Sequence, residues 1–542
     1  MELVNLQRRT LLQAGLGWGT VGVAGCGEQD ALAHIEGEWN GSSPQRGHLL
    51  RKSGSLLQPT VTRRVNVVVA GAGIAGLSAA RALRLRGVDD FCVLDLEDGA
   101  GGNSRGTALG GIPCPLGAHY LPLPSDAAHD VQNFLEEQGL RQRVSGRWQY
   151  DERHLCHSPQ ERLYFQGEWQ EGLLPLLGVG DQTRRHYQRF SELIALAQKT
   201  GHYQIPSSSA SLSGVQREQD SLTFEQWLGQ NSLTDAHLLW YLDYCCRDDY
   251  GAGISTVSAW AGIHYFASRH GFHVPENGTG PAGGQSESVL TWPQGNAWLA
   301  QRLASPLGDR LHPARVVTRI ANQRHGVEVD VFDTTKQTTE RWQAQHCIVA
   351  LPVFVAARVV ENPPPFLTET ARRIHYAAWV LANIRIDAPL HDRPGASPSW
   401  DNALYGAPGL GYVDAMHQSL NPVRGPTVLT YYRALGIDMA QRQALLNAPW
   451  TAWRDQVLAE LAVPHPDLQA KTRQIQFTRY GHAMAVPVPG FKTWLATQVA
   501  PQVTHQVKPN GTRLNFAHAD WAGYSIFEEA FTVGHRAGSQ VT

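Results

Sequence analysis

The run Gly71-Ala72-Gly73-Ile74-Ala75-Gly76 is the first spacing along the chain that suggests chemistry. Glycines so placed strip side chains from a tight turn, so backbone N–H groups can approach a pyrophosphate and a helix can pack closely on the preceding strand. Gly71 suits the turn, Gly73 the phosphate approach, and Gly76 the helix–strand contact. Ala72, Ile74 and Ala75 complete the loop, and the helix N-terminus directs its free N–H groups at the anion. Asp95 follows about 20 residues later, where a carboxylate at a strand end accepts hydrogen bonds from a ribose. A glycine-rich turn without a ligand is the competing reading.

The flanking elements support the ligand. Residues 65–70 form a β-branched run of strand length, residues 77–86 read as a helix ended by Gly87, and Phe91 to Asp95 read as a second buried strand. Together they make a β-α-β unit.

Past the ribose carboxylate, the run from Asp95 to Arg105 carries a second glycine pair, Gly101-Gly102. With it the chain resembles the flavin amine oxidase superfamily, which includes monoamine and polyamine oxidases, phytoene desaturases and protoporphyrinogen oxidases. Further matching blocks are Leu116-Gly117-Ala118-His119-Tyr120, Pro293-Gln294-Gly295-Asn296 before Val316-Val317, Ala350-Leu351-Pro352, and Phe516 to Tyr524 with Glu528-Glu529-Ala530. The resemblance implies an α/β fold: a Rossmann-like FAD-binding domain with an interleaved α+β substrate domain.

It also implies site residues. Gly102, Asn103 and Arg105 would lie along the FAD pyrophosphate, with Asn103 where the family carries arginine and Arg105 as the candidate substitute. Gly117 and Ala118 would pass the flavin, His119 and Tyr120 would point toward substrate, Val317 would pack on adenine, and Asp520 would face the pyrophosphate. A helix beginning near Ile526 would aim its N-terminus at the flavin carbonyl. Counting along the chain places Arg358 at the family's flavin-side lysine. Arginine is a poor proton carrier there, which leaves dehydrogenase, desaturase or isomerase chemistry open. No cysteine lies beyond Cys347, so the FAD is expected to be non-covalent.

For substrate, the resemblance makes Tyr524 one wall of an aromatic cage, with a core tyrosine as the alternative. Tyr480 to Met484 would be the opposite wall or a packed loop. Asp248 and Asp249 could attract an ammonium group, although a capped helix end with local ion pairs is the simpler reading. The expected activity is hydride transfer from a small organic substrate, an amine first, to FAD. The alternatives are a desaturase or isomerase of an apolar molecule and a flavin-binding scaffold without turnover.

A chain of 542 residues with 42% hydrophobic and 17% charged side chains can bury a large core. The net charge of -2 and the absence of a basic run exclude a nucleic-acid partner. No H-x-x-x-H or H-E-x-x-H pair occurs among 23 histidines, so no metal is expected.

Arg8-Arg9 ahead of a weakly apolar, glycine-rich stretch reads as a twin-arginine export signal, and Val23-Ala24-Gly25-Cys26 resembles a lipobox. A lipid anchor through Cys26 and a periplasmic, membrane-attached location follow, against a chance amphipathic helix. No later run is long and apolar enough for a membrane helix, and the sequence sets no oligomeric state. The other six cysteines show no C-x-x-C spacing; they read mainly as buried free thiols, with one or two disulfides left open.

The expected organisation is a signal over 1–26, a tether over 27–62, FAD-binding segments over 63–125, 291–365 and 481–542, and substrate-domain segments over 126–290 and 366–480. The stretches from Arg315, Gly326 and His346 are expected to form one small sheet that rejoins the β-α-β unit.

Overall fold

Val67–Ala70 is buried on both faces, which is why its sequence is a continuous apolar run and not an alternating one. In the computed structural model, which describes residues 32–51, 58–207, 211–275, 288–420, 423, 425–500 and 513–541, this strand lies at the centre of a five-stranded parallel sheet. Its order is Leu311–His312, Phe91–Leu94, Val67–Ala70, His346–Val349 and Leu514–Phe516. The helices Ile74–Leu85 and Phe527–Ser539 pack together beside it, so the C-terminal helix completes the domain that the glycine-rich turn begins.

A four-stranded sheet follows the order Arg315–Gln323, Gly326–Asp333, Thr338–Ala344 and Val61–Arg64. The single small sheet expected from the sequence is therefore divided. The stretches from Arg315 and Gly326 pair antiparallel here, whereas the buried His346–Val349 enters the parallel sheet. Thr338–Ala344 was hidden because its polar and charged residues mask the alternation of a half-buried strand.

The second domain is an eight-stranded mixed sheet whose longest members, His375–Ile386 and Thr472–Val486, pair antiparallel. Helices Asp181–Thr200, Ala236–Tyr250 and Ala259–Ala267 contribute to its main core. Trp379 and Leu381 are two residues apart on one strand and so share a face. Trp379 is in register with Tyr480 on the next strand.

The tether reading is corrected for the described part of 27–62. Glu36–Trp39 pairs parallel with Thr472–Val486, and Val61–Arg64 pairs with Thr338–Ala344. Both are four-residue edge strands, too short and too polar to show periodicity, as edge strands often are. The twin-arginine motif and Cys26 lie outside the described residues. The stretch 126–290, expected to be helical, also holds the hairpins Arg141–Val144 with Arg147–Tyr150 and Glu161–Phe165 with Glu168–Glu171. All six described cysteines are free thiols, with Cys156 half-buried and the others buried. Among the described residues, no helix is long and apolar enough to cross a membrane.

Candidate active site

A cavity of about 910 Å³ runs between the two domains, from the glycine turn to the helices of the second core. At the turn, Gly71 has φ +103° and a Cβ there would stand 2.3 Å from the Ala350 carbonyl oxygen, so only glycine fits. A Cβ on Gly76 would lie 1.8 Å from the Gly71 oxygen. Gly73 differs: the nearest atom to its Cβ position is the Gly102 Cα at 4.0 Å. The room left by these two glycines is open cavity lined by backbone, in front of the N-terminus of Ile74–Leu85, and it fits a pyrophosphate.

Asp95 braces this turn while lining the cavity. Its Oδ2 accepts from the Ala72 N–H at 2.7 Å and its Oδ1 from the Glu97 N–H at 2.8 Å. Burial pushes the carboxyl up to about 6 against those two bonds. Arg105 lines the cavity, donates from Nε to the Gly102 carbonyl at 3.1 Å and lies 3.5 Å from Glu97, so its charge is partly matched within the wall. The Asn103 side chain turns away from the phosphate position and donates from Nδ2 to the Ala483 carbonyl at 2.7 Å. Val317 lies on the cavity wall beside Arg315.

The loop Gly117-Ala118-His119-Tyr120 is held from the second domain. Tyr432 donates to the Gly117 carbonyl at 3.0 Å, and Tyr480 to the Leu116 carbonyl at 2.7 Å. His119 packs on Tyr432 with ring centroids 4.4 Å apart, and burial lowers its pKa to about 3, so the imidazole is neutral. Tyr480 to Met484 all line the cavity. Ile526 and Phe527 also line it, at the uncapped N-terminus of Phe527–Ser539. Asp520, on the cavity wall, accepts from the Val353 N–H at 2.9 Å and from the Tyr376 hydroxyl. Burial opposes its charge, yet His518 and these donors hold the carboxyl below its usual range.

One site expectation is corrected. Tyr524 is fully buried between Tyr250, Trp260 and His264, and its hydroxyl donates to Glu529 Oε1 at 2.7 Å. It is a core tyrosine: Ser525 and Ile526 reach the cavity, and Tyr524 turns to the opposite side. Tyr524→Phe should lower stability by about 1–2 kcal/mol through the lost hydrogen bond, with no change in flavin reduction. Thermal melting and anaerobic reduction of the same preparation check this. Arg358 is exposed and donates to the Leu50 carbonyl at 2.7 Å from the short helix Val353–Val359, which packs on Arg315–Gln323. It lines the same cavity from that exposed position.

One stretch of the wall is acidic. Asp248, Asp249 and Glu528 line it with a single guanidinium, Arg269. Tyr120 donates to Asp248 at 3.1 Å, and Arg269 pairs with Asp249 Oδ1 at 3.0 Å. Burial, with Asp249 next in importance, raises Asp248 to about 6, and burial raises Glu528 to about 7. Arg247 pairs locally, with Asp243 at 2.9 Å, whereas Asp249 pairs with the distant Arg269 and Asp248 accepts from Tyr120, so neither acid makes the expected local ion pair. Glu528 and Arg269 escaped the sequence reading. An acidic pair in a first helical turn has an ordinary explanation in the helix dipole, and Arg269 carries no local motif.

A family model for flavin-containing amine oxidoreductases matches residues 74–537. The chain belongs to this family. An L-amino acid dehydrogenase of Synechocystis sp. is 23% identical over 509 residues, covering 88% of this chain and 94% of that protein. Among solved structures, putrescine oxidase bound to putrescine has TM-score 0.63 and 17% identity, covering 89% of this chain and 99% of that one. Cyclohexylamine oxidase from Brevibacterium oxydans IH-35A has TM-score 0.62 and 19% identity, covering 88% and 98%.

This amine oxidoreductase family member is an FAD-dependent oxidoreductase. The open backbone cradle at Gly73 and Gly102 fits the FAD pyrophosphate, with Asp95 and Val317 available to the adenosine half. Gly117, Ala118 and the start of Phe527–Ser539 would meet the flavin. Trp379, Leu381 and Tyr432 supply an apolar wall from the second domain.

Proposed function

We propose that the protein oxidises an amine at its carbon–nitrogen bond, using non-covalent FAD. The observation that carries this is the acidic stretch of the cavity, where three carboxylates face one guanidinium. Bound FAD supplies the two-electron chemistry by accepting a hydride from the carbon that bears nitrogen. The chain's own residues do the rest. Asp248 and Asp249 draw an ammonium group inward, and the apolar wall of Trp379, Leu381 and Tyr432 holds the carbon skeleton and excludes water. An ammonium cannot release hydride until it loses a proton. Glu528, with its carboxyl raised to about 7, is matched to take that proton near neutral pH. His119, kept neutral by burial, adds no competing positive charge.

Arg269 favours one refinement, an amine that also carries a carboxylate, since a guanidinium fork suits that group. The similar L-amino acid dehydrogenase and the two amine oxidases share an amine as the group acted on by name. The test is anaerobic bleaching of the flavin by a panel of monoamines, diamines and L-amino acids. Rapid bleaching by amines or amino acids, with none by the matching alcohols, supports the reading; no bleaching by any amine overturns it in favour of an apolar substrate.

We also propose export by the twin-arginine route and anchorage through Cys26. The double change Arg8→Lys and Arg9→Lys should retain the protein in the cytoplasmic fraction with its flavin bound. Unchanged fractionation would refute that route.

A further inference from the structure

Away from the three carboxylates, another part of the same cavity wall is basic. His48, Arg51, Arg442, Arg479 and His482 line it together with Phe354. None of these basic side chains has a carboxylate partner among the described residues. Arg442 donates to the Tyr376 carbonyl and its buried Nε has no hydrogen-bond partner. Arg479 donates to the Leu446 carbonyl at 2.8 Å, at the end of helix Met439–Asn447, and lies 4.7 Å over the Trp39 ring.

The charge of the recess is carried by Arg51, Arg442 and Arg479, and it holds the two imidazoles toward their neutral form. His482 is pushed down to about 4 by burial and then by Arg442, Arg51 and His48, and His48 is lowered by burial, Arg51 and Arg479. No acid contributes to either shift. Gathering positive charges in a partly dehydrated recess is unfavourable unless an anion joins them. The recess also offers flat and apolar surfaces. Phe354 stacks on His482 with centroids 4.5 Å apart, and Met439 and Leu446 are exposed at the rim.

The recess adjoins the cofactor cradle. His482 precedes Ala483, whose carbonyl holds Asn103 next to Gly102 of the phosphate loop. We propose that this recess binds a planar, negatively charged two-electron acceptor that reoxidises the cofactor. The inference rests on the proposed oxidation. Two electrons and one proton leave the substrate as hydride and pass from the cofactor to the acceptor, and the second proton leaves through Glu528. Separate regions of opposite charge would then serve a cationic donor and an anionic acceptor in one cavity.

The experiment uses FAD-loaded protein reduced anaerobically with dithionite, so that its outcome does not depend on the amine. Reoxidation is followed with the anionic dye 2,6-dichlorophenolindophenol and with a cationic phenazinium dye. Binding of the anionic dye to the oxidised holoprotein is measured separately by equilibrium dialysis. The anionic dye should react faster, with a rate that falls steeply as salt is added. Arg51→Gln with Arg442→Gln should slow it and weaken its binding by about tenfold or more, without slowing the cationic dye. Arg51→Gln alone, at an exposed residue, should give a smaller loss of the same kind. Equal, salt-insensitive rates for both dyes, or anionic-dye binding unchanged in the variants, would overturn the proposal.

Discussion

Gly73→Val should yield a folded, colourless protein. The glycine has extended backbone angles that valine adopts readily, and its Cβ position meets open cavity, with Gly102 Cα no closer than 4.0 Å. The polypeptide therefore accommodates the side chain, at a cost of about 1–2 kcal/mol for a poorer helix N-cap. The branched side chain then fills the space that brings backbone and pyrophosphate together. Gly76→Ala provides the contrast, because its added carbon would press on the Gly71 carbonyl oxygen at 1.8 Å. Overpacking of that kind costs about 1–3 kcal/mol in the apoprotein itself. Flavin content by absorbance and melting of both apoproteins check this: valine removes the colour from a protein that still folds at a modest loss of stability, and alanine lowers the melting temperature of the apoprotein at least as far.

Glu528→Gln should stabilise the apoprotein at high pH while disabling amine oxidation. Burial raises this carboxyl from 4.5 to about 7, so the native state holds its proton more tightly than the unfolded chain does. Between those values stability falls as pH rises, and the cost of the buried charge reaches about 3 kcal/mol above pH 7. Glutamine keeps the shape without the charge. The variant should therefore melt higher than the parent above pH 7 and match it below about pH 4.5. With amine as reductant, loss of the proton acceptor should slow flavin reduction by about a hundredfold or more. Equal melting temperatures at both pH values, or an unchanged reduction rate, would remove Glu528 from the mechanism.

The cofactor half of the site was legible because its chemistry is local. A strand, three glycines and an acid fall within one β-α-β unit, and the structure assembles Gly71 to Gly76 with Asp95 as their spacing implied. The Leu116 to Tyr120 loop lies outside that unit and was singled out only through the family resemblance. The substrate half was not legible. Its acidic wall joins Asp248 at a helix end, Arg269 beyond the next helix and Glu528 near the C-terminus, and no local pattern connects them. Tyr524 shows a second limit. A sequence block can place a residue at a turn, yet the turn decides which side it faces, and here the cavity side went to Ser525 and Ile526. The supposed tether failed in the opposite way, because the strand Glu36–Trp39 owes its structure to a partner more than four hundred residues away.

The most direct test of the proposed chemistry is the pH dependence of anaerobic flavin reduction at saturating amine, in the parent protein and in Glu528→Gln. A proton-accepting role for Glu528 requires a rate that rises with pH through a midpoint near 7 in the parent, as Glu528 ionises, and the absence of this limb from the variant. A profile identical in the two proteins, following only the ionisation of the amine itself, would contradict it.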